Sequence, residues 1–559
     1  EQRFPKPCVG SSILLGATRT HQLTNGLGLI CPRLAVVPTH PHQIRHGATL
    51  LLSKIRSIFY SSDPRYRPRP SVREALTDPK LLLRETLAGL VVAIALIPEA
   101  IAFSILAGVD PRVGLFASFV MAITTAVLGG RPAMISAATG AVALVIAPVA
   151  RDYGIDYFLA TVILAGVFQV VLGVAGAAKL MRFIPRSVMI GFVNSLAILI
   201  FMAQLPHLID VPFAVYPLVA LGLVVMVVLP RFTKVIPAPL VAIVLVMGTV
   251  VVTGLSVPTV GDEGELPQSL PELLTPNVPL TMETFNIIAP FALAMALVGL
   301  LESLLTAKLV DEITDTHSQK TRESLAQGVG NIISGFFGGM GGCAMIGQTM
   351  INVKASGART RISTFLAGVF LLVLVVALGD FVQAIPMAAL VAVMIMVSVG
   401  TFNFHSVAPA TLKRMPKSET VVMVATAAVV VWTHNLAIGV IAGVLVAMVA
   451  FARRVAHFAN VKRSVGGDDE IQAALYTVEG ELFFASSNDL TTLFEYTDDP
   501  HYVVIDVSAS HIWDASTVAA LDSIVTKYES LGKEVYIKGM NEASETLHTR
   551  LAGNFGGDI

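Results

Sequence analysis

Two carboxylates stand where an apolar chain should hold none. Glu302 sits in the middle of a hydrophobic stretch, residues 285–309, with little else polar before Lys308 and Asp311 close it. Glu99 follows Pro98 inside a second apolar run. A stretch of this length crosses a bilayer. A charged side chain at mid-depth there costs from about 2.5 to more than 10 kcal/mol, so it faces a cavity, a partner or a transported ion. Thr306 lies one turn beyond Glu302 on the same helical face, where its hydroxyl can offer an oxygen to a cation. Pro98 removes a backbone donor and kinks its helix beside Glu99, as expected of a cavity wall.

Two short segments supply the complementary chemistry. One opens with Arg131-Pro132 and runs through Ile135-Ser136-Ala137-Ala138-Thr139-Gly140-Ala141. The other is Gly338-Gly339-Met340-Gly341-Gly342-Cys343-Ala344-Met345-Ile346-Gly347-Gln348-Thr349. Small residues let backbone approach backbone or ligand closely. If each segment is a half-helix starting near the midplane, two N-termini face each other. Each presents unpaired N–H groups and about half a positive charge. That arrangement makes an anion site without lysine or arginine. Close packing by small residues is the competing explanation for the glycines, and Cys343 reads as a small apolar filler.

The elements that must position these groups follow from hydropathy. Of 559 residues 54% are hydrophobic and 14% charged, against roughly 25% charged in a soluble domain; mean hydropathy is +0.73. Apolar runs divide into fourteen segments: 84–106, 111–129, 138–150, 156–179, 187–205, 213–230, 236–255, 286–308, 322–338, 344–353, 362–380, 385–402, 418–433 and 436–452. The two short segments, 138–150 and 344–353, are third in their respective groups of seven. Short, glycine-interrupted segments at matching places in two halves point to a transport site. Arg131, Arg182, Arg186, Arg231, Lys320, Arg361 and Lys413 fall in alternate loops, and the loop 254–285 between the halves carries acids but no Lys or Arg. That asymmetry places both termini in the cytoplasm.

Three functional classes are excluded or disfavoured. A net charge of −1 leaves no footprint for nucleic acid. Three scattered cysteines build neither a disulfide framework nor a zinc site. The tail offers no nucleophile–base pair or metal cluster, so no enzyme and no cofactor beyond a coupling ion is expected.

Residues 1–78, rich in Pro, His and Arg, are expected to be disordered and cytoplasmic, with no convincing signal peptide; a start at Glu1 reads as truncated or misassigned. The transport domain is expected over 79–456, with a linker at 457–468 hinged on Gly466-Gly467. A soluble α/β domain follows at 469–559. In it IQAALYTV and ELFFASS read as two strands joined by a Glu-Gly turn, 502–507 and 535–538 as further strands, and 517–531 as a helix. Strands alternating with helices argue for βαβ units.

The segments AGLVVAIALIPEAIAFSILAGVDPRVGLFAS, ESLLTA and GFFGGMGGCAMIGQTMINVKASGARTR resemble the SulP family of anion transporters, the bacterial branch of the solute-carrier-26 group. The tail resembles a STAS domain. The resemblance spans about residues 80–545. It implies a polytopic α-helical membrane protein with a seven-plus-seven inverted repeat, core and gate domains moving as an elevator, and a homodimer in the bacterial inner membrane. It places the anion between Thr139 and Gly140 on one side and Ala344, Met345 and Ile346 on the other; Glu99 is counted with this substrate site from its place beside the Pro98 kink. It gives cation coupling to Glu302, and makes Thr306 with Glu302 a metal site if the ion is Na+.

Three departures stand out. Glu99 replaces a common Gln, Gly341 stands where many members have Pro, and Met345 and Ile346 replace small or hydroxyl residues. Backbone N–H donation survives the last change. In the tail, Ala515 stands at the serine phosphorylated in anti-sigma-factor antagonists, which favours a docking or dimer-stabilising role over a phospho-switch. Sulfate and bicarbonate are the leading substrates and dicarboxylate the third. A passive anion channel, an exchanger and a nucleobase permease are the rival readings.

Overall fold

The computed structural model describes residues 70–176, 179, 184–232, 237–267, 269–456, 460–468 and 471–552. Most of the segment expected to be disordered lies outside them, but its end is ordered: Val72–Thr77 is a helix closed by a reciprocal Ser71–Glu74 capping box.

The fourteen expected segments are all helical. They are α1 (Pro79–Ala107), α2 (Pro111–Leu128), α3 (Gly140–Tyr153), α4 (Ile155–Val174), α5 (Arg186–Met202), α6 (Val215–Phe232), α7 (Ala238–Thr253), α8 (Met282–Thr314), α9 (Lys320–Phe336), α10 (Ile346–Met350), α11 (Arg361–Ala377), α12 (Met387–Thr401), α13 (Lys417–Thr433) and α14 (Leu436–Ala456). Among the described residues seven helices are long and apolar enough to cross a membrane by length and composition, and α7, α11 and α12 are shorter apolar helices.

Packing follows the two halves. Helix α1 packs on α11, as α8 does on α4; α2 packs on α11, as α9 does on α4. Likewise α5 packs on α13 as α12 does on α6, and α13 on α14 as α6 does on α7. Advancing each partner by seven positions converts one contact set into the other. Two groups emerge, α1–α4 with α8–α11 and α5–α7 with α12–α14, and each half contributes to both.

The soluble tail is a four-stranded sheet in the order β3 (Asn460–Asp468), β4 (Ile471–Leu482), β5 (Tyr502–Ile512), β6 (Glu534–Lys538). β4, β5 and β6 pair in parallel, with α15 (Phe484–Leu490) and α16 (Ala515–Ser530) in the crossovers and α17 (Glu542–Leu551) at the end. Two expectations need correction. Of the stretch assigned to a linker, residues 460–468 are β3, antiparallel to β4 from Asn460↔Glu479 to Asp468↔Ile471, and 457–459 lie outside the described residues. Its alternation is masked by Lys462 and Arg463, charges of the kind that keep an edge strand from pairing with other chains. Gly466-Gly467 therefore lies inside a strand and is no hinge. The supposed hairpin at Glu479-Gly480 is also absent. β4 runs straight through it and stays paired with β5, with a register shift between Thr477 and Glu479 that puts the extra residue on β5.

Candidate functional site

The two short segments meet at their leading strands. β1 (Ser136–Ala137) pairs antiparallel with β2 (Cys343–Ala344), Ser136 opposite Ala344 and Ala137 opposite Cys343. Each strand runs directly into its half-helix, so α3 and α10 leave the crossing in opposite directions with their N-termini toward it.

Extended backbone at membrane depth is tolerated only when its polar groups are satisfied by protein, and the polar residues of neighbouring helices do this. Ile135 N–H donates to Thr349 Oγ1 (3.0 Å) and Ala138 N–H to Ser118 Oγ (3.2 Å). Gly342 N–H donates to Asn331 Oδ1 (2.7 Å), and Ala344 N–H to Ser303 Oγ (3.0 Å). Glycine is required where the strands cross: a Cβ on Gly342 would lie 2.0 Å from the Ala137 carbonyl oxygen. Gly341 has φ +71°, which explains the missing proline, since proline is locked near −65°.

The two N-termini differ. Thr139 caps α3 by accepting from Val142 N–H (3.3 Å). Met345 precedes α10 with no side-chain cap, so the first-turn N–H groups of α10 keep their donor capacity.

A cavity of about 370 Å3 opens between them, lined by Glu99, Thr139, Gly140, Glu302, Met345 and Ile346 together with Phe103, Ala141, Gly347 and Gln348. Six of the eight expected site residues thus share one space. The other two stand behind it. Ala344 is fully buried in β2, with its N–H committed to Ser303. Thr306 is fully buried and its hydroxyl donates to the carbonyl of Glu302 (2.8 Å), with the Ala344 carbonyl at 3.4 Å. The Thr306 hydroxyl is thus spent on main-chain carbonyls and not on the Glu302 carboxylate. Among the described residues no cluster of three or more His, Cys, Asp or Glu side chains forms a metal cage.

The α5–α7/α12–α14 group closes the opposite wall with Phe192, Val193, Leu196, Ile200, Val397, Gly400 and Thr401. Sequence reasoning passed over these residues because they look like ordinary lipid- or core-facing apolar positions. Phe103 was legible in principle, one turn beyond Glu99, and Gln348 as a polar residue in the first turn of α10; both line the cavity with Glu99. Cys343 is not an inert filler. Its thiol donates to Glu302 Oε2 (2.9 Å) and lies 3.2 Å from Thr139 Oγ1.

Away from the cavity, Arg131 is buried rather than a free loop charge. It pairs with Asp311 (2.9 Å) and donates to Thr314 and Thr316. Glu323 accepts from the backbone N–H groups of Gly130 and Arg131 (2.7 and 3.0 Å). These bonds tie the loop before β1 to α8 and α9.

Comparison with known proteins agrees with this architecture. The Sulfate permease family profile matches residues 82–219 and 210–426, and that of the STAS domain matches 464–554. The putative sulfate transporter YbaR of Bacillus subtilis is 51% identical over 469 residues, 84% of this chain and 97% of that protein. The bicarbonate transporter BicA of Picosynechococcus sp. is 26% identical over 506 residues, 81% of this chain and 87% of it. In fold the chain resembles the inward-facing murine Solute Carrier 26 family member A9 anion transporter at TM-score 0.74, 15% identity, covering 94% of this chain and 97% of that one. It also resembles the transmembrane domain of a cyanobacterial BicA at TM-score 0.57, 24% identity, covering 64% and 97%. These relatives are transporters and not enzymes. With its paired halves, crossed half-helices and STAS tail, this chain belongs to the sulfate permease (SulP) family of membrane anion transporters.

Proposed function

We propose that the chain is a secondary active transporter of a small oxyanion, sulfate or bicarbonate, coupled to H+ or Na+ through Glu302. One observation carries this reading: two opposed helix N-termini and Glu302 line the same cavity. The N-termini supply the attraction for an anion, about half a charge each. A carboxylate beside a bound anion is unfavourable until a cation neutralises it. Loading the two ions together removes that penalty, and this is the physical content of coupling. The names of the relatives, sulfate and bicarbonate transporters, support the substrate class.

The cavity lies between the two helix groups, so a displacement of one against the other would carry the site between the two sides of the membrane as an elevator. We further place both termini in the cytoplasm, from the distribution of basic loops, in a homodimer of the bacterial inner membrane, with the STAS domain as a docking or dimer-stabilising module.

The test is uptake of radiolabelled sulfate and bicarbonate into proteoliposomes with an imposed proton or sodium gradient. Wild-type protein should respond to one gradient, and Glu302→Gln should take up anion without responding to either. Gradient dependence that persists in Glu302→Gln would remove Glu302 from the coupling role.

A further inference from the structure

Three polar groups from three different elements meet behind the cavity wall. Thr139, the N-cap of α3, and Glu302, in α8, both line the cavity. Cys343 of β2 does not line it; the residue is fully buried between them. Its thiol donates to Glu302 Oε2 at 2.9 Å, which commits its one proton. The 3.2 Å contact between Thr139 Oγ1 and the sulfur is therefore donated by the threonine hydroxyl. Thr139 Oγ1 in turn accepts from Val142 N–H at 3.3 Å. The bonds thus run in one direction, from the first turn of α3 through Thr139 and Cys343 to Glu302. Size alone would not select cysteine. A Cβ on Gly299 would stand 3.5 Å from the Cβ of Cys343, so the position requires a small side chain, and alanine or serine meets that need as well. Only a side chain that both donates and accepts completes the path between Thr139 and Glu302.

We propose that Cys343 is a positioning residue that links the anion to the coupled cation: it holds the Glu302 carboxyl group and takes the Thr139 proton that an anion in the cavity would otherwise receive. The inference rests on the reading that both ions load at this cavity. Thr139 has one hydroxyl proton to give. An anion beside the start of α3 draws that proton away from the sulfur. Hydrogen bonds in a chain polarise one another, so a thiol that no longer accepts donates more weakly. The hold on Glu302 therefore relaxes as the anion arrives, and the carboxyl group becomes freer to take the cation. By reciprocity, a cation on Glu302 eases the turn of the Thr139 hydroxyl toward the anion. No particular charge on Glu302 is required, because a neutral carboxyl group also offers an oxygen to the thiol.

The experiment has two arms, both on the full chain in proteoliposomes. The first is the infrared S–H stretch, with Cys8 and Cys31 replaced by Ser so that Cys343 is the sole thiol. The band should be displaced to low frequency in this parent protein, and Glu302→Ala should raise it to the position of a free thiol. Saturating sulfate or bicarbonate should shift it, and Thr139→Val should abolish that anion-induced shift. A free-thiol band in the parent, or a band blind to the anion while uptake proceeds, would overturn the proposal. The second arm is competition of unlabelled anion against uptake of the labelled one. Cys343→Ala leaves the Thr139 hydroxyl to the anion, so competition should need about threefold less anion while the gradient response shrinks. Cys343→Ser should return both toward the parent values, and in a Thr139→Val background Cys343→Ala should no longer lower the concentration. Alanine and serine variants that behave alike would mean a packing role and overturn the proposal. The infrared arm needs no substitution at position 343, so it decides the matter even if Cys343→Ala fails to fold. Absence of any anion uptake would instead strike the transport reading, and the band would still report whether Cys343 holds Glu302.

Discussion

Two regions of the molecule bury a carboxylate, and they treat it in opposite ways. In the STAS domain Asp499, whose side chain is fully buried, accepts from the hydroxyls of Tyr476 (2.7 Å) and Tyr528 (2.5 Å) and pairs with Arg463 at 2.8 Å. Both oxygens are engaged and a cation of the chain itself neutralises the charge. In the membrane cavity the Glu302 carboxylate accepts from the Cys343 thiol, and no lysine or arginine lines the space. A buried acid that is fully partnered is part of the scaffold. One that is left short of partners, beside a cavity, is available to an ion from outside. Burial alone does not distinguish the two; the inventory of partners does.

The sharpest way to break this comparison is to neutralise both acids. Leaving a buried hydroxyl without its acceptor costs about 1–3 kcal/mol, and Asp499→Ala strands two, those of Tyr476 and Tyr528. It should therefore loosen the STAS sheet, seen as faster hydrogen exchange across β4 and β5 in the full chain. Glu302→Gln should leave exchange in α8 unchanged or slower, since it removes an uncompensated acid, while abolishing the gradient response. If the two substitutions destabilise their surroundings equally, the distinction between scaffold and site acid fails.

A smaller effect sharpens the scaffold half. Tyr528→Phe removes one hydrogen bond to a charged acceptor and should cost about 1.5–3 kcal/mol. The same group sets an alkaline limit. Burial, and then the hydrogen bond to Asp499, push the Tyr528 phenol far above its ordinary value. Tyr476 is raised for the same two reasons. A group whose pKa is raised on folding contributes stability that is complete below its unfolded value, about 10 for tyrosine, and is withdrawn as pH climbs beyond it. The STAS domain should thus melt markedly lower at about pH 11 than at about pH 8, with a shallower fall in Tyr528→Phe. Trp513 fluorescence in a Trp432→Phe background reports it.

How much of this was legible follows the same division. The fourteen helices and the pairing of third with tenth were readable because apolar length and interrupted segments are imposed by the bilayer. Glu302 and Glu99 were readable because an acid in such a run has no ordinary explanation. β3 was not, because the charges on an edge strand erase its alternation. Asp499 was not, because an aspartate in TDDP, at positions 497–500, looks like a turn residue until the sheet brings Tyr476, Tyr528 and Arg463 to it from three distant elements. Cys343 was misread for a related reason: its partners Glu302 and Thr139 come from other segments, so spacing carries no trace of them.

The smallest predicted effect concerns the two half-helices themselves. Their symmetry is one of chain path and not of capping, since α3 begins with Thr139 accepting from Val142 N–H while α10 begins at Met345 with no side-chain acceptor. Removing a threonine cap costs about 0.5–2 kcal/mol. Thr139→Val, which keeps the β-branched shape, should therefore raise hydrogen exchange in the first turn of α3 and leave the first turn of α10 as it was. Because Thr139 also lines the cavity, the same variant should weaken anion competition modestly, whereas Met345→Val, which removes no backbone donor, should not. If Thr139→Val leaves exchange in α3 untouched, the strand crossing alone holds that N-terminus in place and the two ends are equivalent after all. If it changes both helices equally, the strain passes through the Ala137–Cys343 pair, and the crossing is a more compliant joint than its backbone hydrogen bonds imply.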